Sequence, residues 1–427
     1  MANGFNKSEI VMFDDVLAAF DDRLVIAKAC EKYMLGSDQA VERMGDRVWR
    51  PQPYNAVTYA GMDQTANFGD ITQLSVPVGL GYHRSAPGTM SSKNLRDPSQ
   101  LKRYGDAASM KLASDINSAL FTVAALQGSI VSKRTVAATG FDDVALMDAL
   151  FTEQGVPVEN RRAFYSPRDY NNMASNLASR QTMQGKTQTA YENALVGDNV
   201  AGFQLFKNDL TYRLAAATAT GVTITSANQR YIPASITTDA AGNTANIDNR
   251  YQTIGITTGA GSPAVKVGDA FTIAGVNSAH QITKQDTGQL KTFRVVSIVT
   301  GAGGTGTIQI TPPIISADSS PTRAELQYQN VVGVPAAGAV VTFLNTVTAA
   351  VNPFFVKDAL ELIPGSFAVD PEDGWQVLRA TTDFGIGITY ARQGNINDLS
   401  VKYRWDVDFG VGMLNTEMAG IQLFSQT

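Results

Sequence analysis

Ile10, Phe13, Val16 or Leu17, Phe20 and Leu24 recur at helical spacing near the start of the chain, with Asp14, Asp15, Asp21 and Asp22 among them. The pattern predicts an amphipathic helical arm over 8–35, acids on its wet face, Ser8 as N-cap and Gly36 as stop. A stronger period runs through Leu101, Tyr104, Ala108, Leu112, Ile116, Leu120 and Val123 until Gly128. Asp97 is placed to cap that helix, and Pro98 suits its first turn. About 30 residues at 1.5 Å each make a rod of roughly 45 Å, long for a compact enzyme core. Further helices fit 141–154 and 167–180. Between arm and rod, "VWRP" and "ITQLSVPVGL" read as β segments flanking a polar excursion, which predicts a long extended loop.

At about Gly221 the pattern changes to β-branched alternation broken by Gly, Asn and Asp turns, and it keeps that style to about Asn345. Residues 346–427 return to mixed character. The fold class predicted is therefore α+β, with an all-β unit inserted into it. The uncharged run 331–356 is long enough to raise a membrane span. Pro335, Pro353, Gly333, Gly338 and Asn345 interrupt it, and it reads instead as short buried strands of a soluble chain. The N-terminal stretch does not read as a signal peptide, because its apolar residues are broken by the four aspartates.

Composition narrows the function. Chains of 427 residues hold about two or three domain-sized units. Charged residues make up 17%, below the roughly 25% of an average soluble domain, which fits a surface that meets other protein. The net charge is −5, and lysines and arginines come only in short groups such as Lys133-Arg134 and Arg161-Arg162. Tight direct nucleic-acid binding needs clustered cations and is not expected. The single cysteine, Cys30, forbids an intrachain disulfide and a Cys-rich metal site; it reads as a buried structural thiol.

Candidate chemistry is thin. Gly301-Ala302-Gly303-Gly304-Thr305-Gly306 matches the dinucleotide fingerprint G-x-G-x-x-G, and it comes after a β-branched run as that fingerprint requires. The fingerprint also needs a helix next, to hold the pyrophosphate at its N-terminus. The chain continues instead into "TIQITPPI", a second strand, so a hairpin turn is the better reading. In "DAAGNTANIDNR", Asp239, Asn243, Asn246 and Asp248 surround a glycine as calcium ligands do, but the alternate-position acids and closing glutamate of an EF-hand are absent. A polar hairpin tip is the competing account. His83 and His280 are the only histidines, and neither has a recognisable catalytic partner. The pair Asp142-Asp143 sits at a helix start, where the macrodipole favours acids. No catalytic residue, cofactor or metal site is expected.

The order of these parts resembles the major coat protein of P22-like podoviruses, which carries the HK97 capsid fold with an inserted β-barrel. The likeness is best over Asn199 to Thr258, "NVAGFQLFKNDLTYRL…NRYQTIGITT", and continues through "VKVGDAFTIAGV", "FRVVSIV" and "IQITPPI". "KYMLGSDQAVERMGDRVWRPQ", "NLRDPSQLKRYGDAASMKLA" and "FYSPRDYNNMASNLASR" keep the same order, so the resemblance spans nearly the whole chain.

That resemblance implies an N-terminal arm over 1–34. It implies an HK97-fold core over 35–221 and 346–427, with an E-loop at about 52–76, a spine helix at about 97–128 and an axial domain. It also implies an inserted β-barrel over 222–345. The D-loop would fall at about 238–248, making Asp239, Asn243, Asp248 and Arg250 contacts with an adjacent capsomer. Asp14 and Asp15 lie in the arm helix whose acidic patch is implicated in scaffolding-protein contact. The implied function is self-assembly, with scaffolding protein, into hexamers and pentamers of an icosahedral shell. That shell would carry portal protein at one vertex and enclose double-stranded DNA, assembled in the bacterial cytoplasm. Rival readings are an encapsulin-like nanocompartment shell, a nucleotide enzyme using Gly301 to Gly306, and a β-rich adhesin.

Overall fold

The computed structural model describes residues 7–34, 47–179, 199–300, 304–318, 320–367, 376–382, 384–395 and 397–427. The chain forms two compact units. One comprises Met1–Val48, Pro77–Phe121 and Leu360–Gly412; the other comprises Trp49–Val76, Thr122–Ala359 and Met413–Thr427.

In the first unit the arm departs from its sequence pattern. Helix Lys7–Asp22 starts one residue before Ser8, which therefore lies in the first turn rather than at the cap. A second helix, Val25–Ala29, comes after a break at Arg23-Leu24, and the chain then enters strand Glu31–Lys32 instead of continuing to 35. Gly36, the expected stop, lies outside the described residues. The break is bridged from elsewhere in the chain. Asn117, on helix Pro98–Gln127, donates Nδ2 to the Arg23 carbonyl at 2.9 Å and accepts from the Ile26 N–H at 3.2 Å. Arg23 Nη1 donates in turn to the Asp106 carbonyl at 3.0 Å. Asn117→Ala removes both bonds to a buried side chain and should cost about 1–3 kcal/mol, read as a lower urea midpoint of the full-length monomer. Cys30 is buried, its thiol 3.1 Å from the Ile26 carbonyl.

The long helix begins as its spacing predicts. Asp97 accepts from the Ser99 N–H at 3.0 Å and from the Ser99 hydroxyl at 2.8 Å, and these bonds hold its carboxyl below the ordinary value. Gly105 is a poor helix former, yet a Cβ there would lie 3.1 Å from Val16 and 3.5 Å from the Trp405 ring. The arm helix and the sheet approach too closely at that point for a side chain. The sheet runs Glu31–Lys32, Leu360–Pro364, Ser400–Met413, Gly387–Asn395, Gln376–Thr381, with Tyr82–Ser91 also paired to Ser400–Met413. Its inner face is aromatic: Phe13 stacks on Trp405 at 5.7 Å, and Tyr390 lies 4.6 Å from the same ring.

The second unit holds a mixed sheet in the order Ile130–Lys133, Ala419–Leu423, Asn352–Val356, Arg161–Tyr165, Phe203–Lys207. Helices Phe141–Glu153 and Pro167–Ser179 contribute Met147, Phe151 and Met173 to a core with Phe203 and Phe354. Asp143 closes the start of the first of these helices, accepting from the Thr139 and Gly140 N–H groups. The same unit contains a seven-stranded sheet with the path Val331–Val332, Ala270–Ala279, Asp286–Thr300, Thr305–Thr311, Gln252–Thr257, Thr223–Ile224. Strand Val341–Phe343 pairs with Ala270–Ala279, and the bridge between Thr223 and Val340 joins the other end of the path to it. The sheet thus closes into a barrel, which removes its free edges. Alternation puts Ile254, Ile256, Phe271, Phe293, Val295, Ile308 and Ile310 inside.

The segments entering and leaving the barrel lie side by side. Arg213–Leu214 pairs with Ala349–Ala350, and the Ala217 N–H donates to the Asn345 carbonyl at 2.8 Å. Fully buried Asn345 also donates to the Ala215 carbonyl and to Asp269, both at 2.9 Å, and accepts from the Ala270 N–H at 3.1 Å. The run 331–356 contributes strands Val331–Val332, Val341–Phe343, Ala349–Ala350 and Asn352–Val356. Among the described residues, no helix is long and apolar enough to cross a membrane.

Candidate functional site

Strands Ile236–Thr238 and Thr244–Asn246 form a two-stranded hairpin, every residue of it exposed. The turn is built by Asp239, whose carboxylate accepts from the N–H groups of Ala241 and Asn243 and from Asn243 Nδ2, at 2.8–3.0 Å. Those bonds, led by Asn243, hold the Asp239 carboxyl below its ordinary value. Its oxygens are thus spent on N–H donors, which is the polar-tip arrangement and not a cation cradle. Among the described residues no group of three or more His, Cys, Asp or Glu could hold a metal ion.

Asp248 and Arg250 are placed differently from the tip. They sit at the hairpin's root and pair with each other, Arg250 Nη2 lying 2.6 Å from Asp248. Arg250 is nearly buried and also donates to the Met413 carbonyl at 2.8 Å. Asn249 between them closes the root: it donates to the Ala234 carbonyl and accepts from the Tyr231 hydroxyl and the Ala234 N–H. Its sequence position carried no signal of that role.

The segment 52–74 carries no strand, and it exposes Tyr54, Tyr59, Met62, Phe68 and Ile71. Met62 is 104% exposed and Phe68 85%. In a chain this size single exposed apolar residues are ordinary; a series of them on one loop is the kind of surface that other protein covers.

Two cations of the barrel face inward to the rest of this unit. Arg294, on strand Asp286–Thr300, is fully buried and donates to the carbonyls of Gly268, Gly128 and Ala125 at 3.1, 3.3 and 2.9 Å. Ala125 and Gly128 lie at the C-terminal end of Pro98–Gln127, where carbonyls lack helical partners and the dipole favours positive charge. Burial pushes the Arg294 guanidinium down to about 10, opposed by Tyr212 and Asp269, so it stays charged at neutral pH. Lys291, 1% exposed, places its ammonium 2.5 Å from Glu417. Near this pair, burial also lowers the Lys284 pKa.

The remaining sequence candidates separate. Asp14 and Asp15 are both exposed, and Asp15 is paired with Lys102 at 2.9 Å. His83 has hydrogen-bonding neighbours that the sequence did not disclose, Ser85 at 3.1 Å and Asp406 at 3.4 Å. Strand pairing between Tyr82–Ser91 and Ser400–Met413 brings them together. Both contact the same ring nitrogen, Nε2, and Asp406 is further engaged by Arg404. A nucleophile triad instead needs the serine and the acid on opposite nitrogens. His280 accepts from the Ile282 and Thr283 N–H groups and shapes a turn. Gly301–Gly303 lie outside the described residues, but strand Thr305–Thr311 comes next and pairs antiparallel with Asp286–Thr300, so no helix opens after the motif. A cavity in this unit, lined by Gln52, Arg250, Lys284, Asn330 and Glu417, holds about 110 Å³. That is well below the roughly 300 Å³ at which ligand sites begin.

A barrel anchored by buried cations, an exposed hairpin and a loop with exposed apolar residues are the features that the chain's family has to account for. Over residues 1–425 the chain matches the family model described as P22 coat protein, gene protein 5, and it belongs to that family. It is accordingly a coat protein, a major capsid protein of a tailed bacteriophage, and its place is the capsid of the virion. Among solved structures it is similar to one from Mycobacterium phage Che8, at 10% identity and TM-score 0.42, covering 93% of this chain and 90% of that one. The capsid of cyanophage P-SCSP1u is similar at 10% identity and TM-score 0.40, covering 93% and 87%. The CUS-3 coat protein I-domain is 35% identical, covering 31% of this chain and 99% of that one, with a TM-score of 0.23.

Proposed function

We propose that the protein assembles with a scaffolding protein into hexamers and pentamers of a procapsid, in the host cytoplasm. Portal protein occupies one vertex, and the mature head encloses double-stranded DNA without sequence-specific contacts. The chain acts as a structural element and not as a catalyst. Residues 1–34 serve as the arm, 35–221 and 346–427 as the core, and 222–345 as the inserted domain. The observation that carries this reading is the hairpin Ile236–Asn246: all its strand residues are exposed while Asn249 and the Asp248–Arg250 pair fix its root. A projecting element with a rigid base is built to meet a neighbour.

Co-expression with the scaffolding partner, followed by electron microscopy, tests the proposal: closed shells are expected, and soluble monomers alone would overturn it. The interface role falls on Asp239 and Asn243 at the tip. Either alanine variant should leave the monomer's unfolding midpoint nearly unchanged and reduce the yield of closed shells. Asp248 and Arg250 would take part by presenting the hairpin. Their alanine variants are expected to lower monomer stability as well, because Arg250 holds the Met413 carbonyl. Asp14 and Asp15 are proposed as scaffold contacts through the arm's acidic face, Asp15 only after it parts from Lys102.

A further inference from the structure

The short helix Arg323–Tyr328 meets the loop 52–76 of the same unit through the loop's main chain. Arg323 Nη1 donates to the Asn67 carbonyl at 2.7 Å, and the Tyr328 hydroxyl donates to the Thr72 carbonyl at 2.9 Å. Gln327 reaches both limbs of the loop at once: its Nε2 donates to the Asn55 carbonyl at 3.2 Å, and its Oε1 accepts from the Thr72 N–H at 3.2 Å. Positions 323 and 327, four apart, share one face of the helix. Gln327 is itself buried, so its amide has no competing water.

The gripping helix is fixed from behind. Thr322 and Glu325 form a capping box, and Glu325 is fully buried with Arg230 at 3.4 Å. On the loop side, Gly69 allows the approach, because a Cβ there would lie 3.1 Å from Arg323 Nη1. The loop lacks strands between 52 and 74, so these bonds satisfy backbone groups that would otherwise face water. The grip leaves Met62, Phe68 and Ile71 pointing outward.

We infer that the inserted domain sets the pose of the loop 52–76 within its own chain, clamping the main chain of both limbs before any neighbour arrives. A loop ordered in advance loses less conformational entropy when it docks. The clamp stands on this chain's own geometry; only its benefit to assembly rests on the coat reading.

Hydrogen–deuterium exchange of the full-length monomer tests the clamp. In the double variant Arg323→Ala/Gln327→Ala, the Thr72 amide, the loop N–H that Gln327 holds, should exchange about tenfold faster, the change expected for one lost hydrogen bond. Barrel strands Gln252–Thr257 and Thr305–Thr311 should keep their protection. Unchanged exchange at Thr72 overturns the inference, as does a wild-type Thr72 amide already exchanging at unfolded-chain rates. Should the double variant loosen the barrel too, Tyr328→Phe decides, since it removes one hydroxyl and keeps the ring. Faster exchange around Thr72 then supports the clamp, and wild-type exchange there refutes it. Because the measurement needs no shell, the clamp and the coat reading can fail independently.

Discussion

Arg294→Met should lower the unfolding free energy of the full-length monomer by about 3–5 kcal/mol, the loss typical of breaking a buried charged network. The side chain is nearly matched in bulk, so the effect comes from three carbonyls, those of Ala125, Gly128 and Gly268, left without their donor. Each buried unsatisfied group costs about 1–3 kcal/mol, and relief from burying the charge offsets part of the sum. Arg294→Lys keeps the charge but has no planar fork to span three acceptors, and it should fall between wild type and methionine. Urea unfolding at neutral pH reads the series. Equal midpoints for all three proteins would show that water replaces the guanidinium.

Glu417→Gln should cost a similar amount, about 3–5 kcal/mol, because it leaves the Lys291 ammonium buried without its counter-charge. The reverse variant is predicted to be milder. Lys291→Met removes the buried charge, while Glu417, at 19% exposure, can still meet solvent. The double variant should recover most of the loss from Glu417→Gln, so a double-mutant cycle on urea midpoints would show strong coupling. Simple additivity would mean that the two side chains act separately.

These two residues also mark where sequence reading stops. The long helix was legible because its spacing, Asp97 and Pro98 all point one way, and the barrel because alternation with glycine turns persists from 221 to 345. Arg294 and Lys291 interrupt an alternating strand, where a cation ordinarily signals a solvent face. Only tertiary contacts reverse that meaning, for Arg294 with a helix end more than a hundred residues earlier and for Lys291 with Glu417 more than a hundred residues later. The arm misled for the same reason: its period is continuous, but Asn117 offers Arg23 and Ile26 better partners than another helical turn would. His83 looked solitary because Asp406 reaches it across a strand pair that no local pattern announces. In the hairpin, the glycine among Asp and Asn residues disclosed a polar tip, whereas the division between a tip at Asp239 and Asn243 and a held root at Asp248 and Arg250 depended on Met413, far along the chain.

The paired segments at the barrel's neck bear on chain entropy. With Ala217 bonded to Asn345 and Leu214 aligned with Ala349, the folded barrel brings its own ends together. To the rest of the unit it is a short connection and not a floppy excursion of its full contour length. Loop-closure cost grows only as about (3/2)RT ln n even for an unstructured insert, and here the barrel's own cohesion absorbs that cost. At the neck alone such a cassette disturbs the host chain little; its removal would still take away the bonds of Arg294, Lys291, Arg323 and Gln327 to segments outside it. A short turn joining 217 to 345 would present the remaining strands with nearly the same two ends.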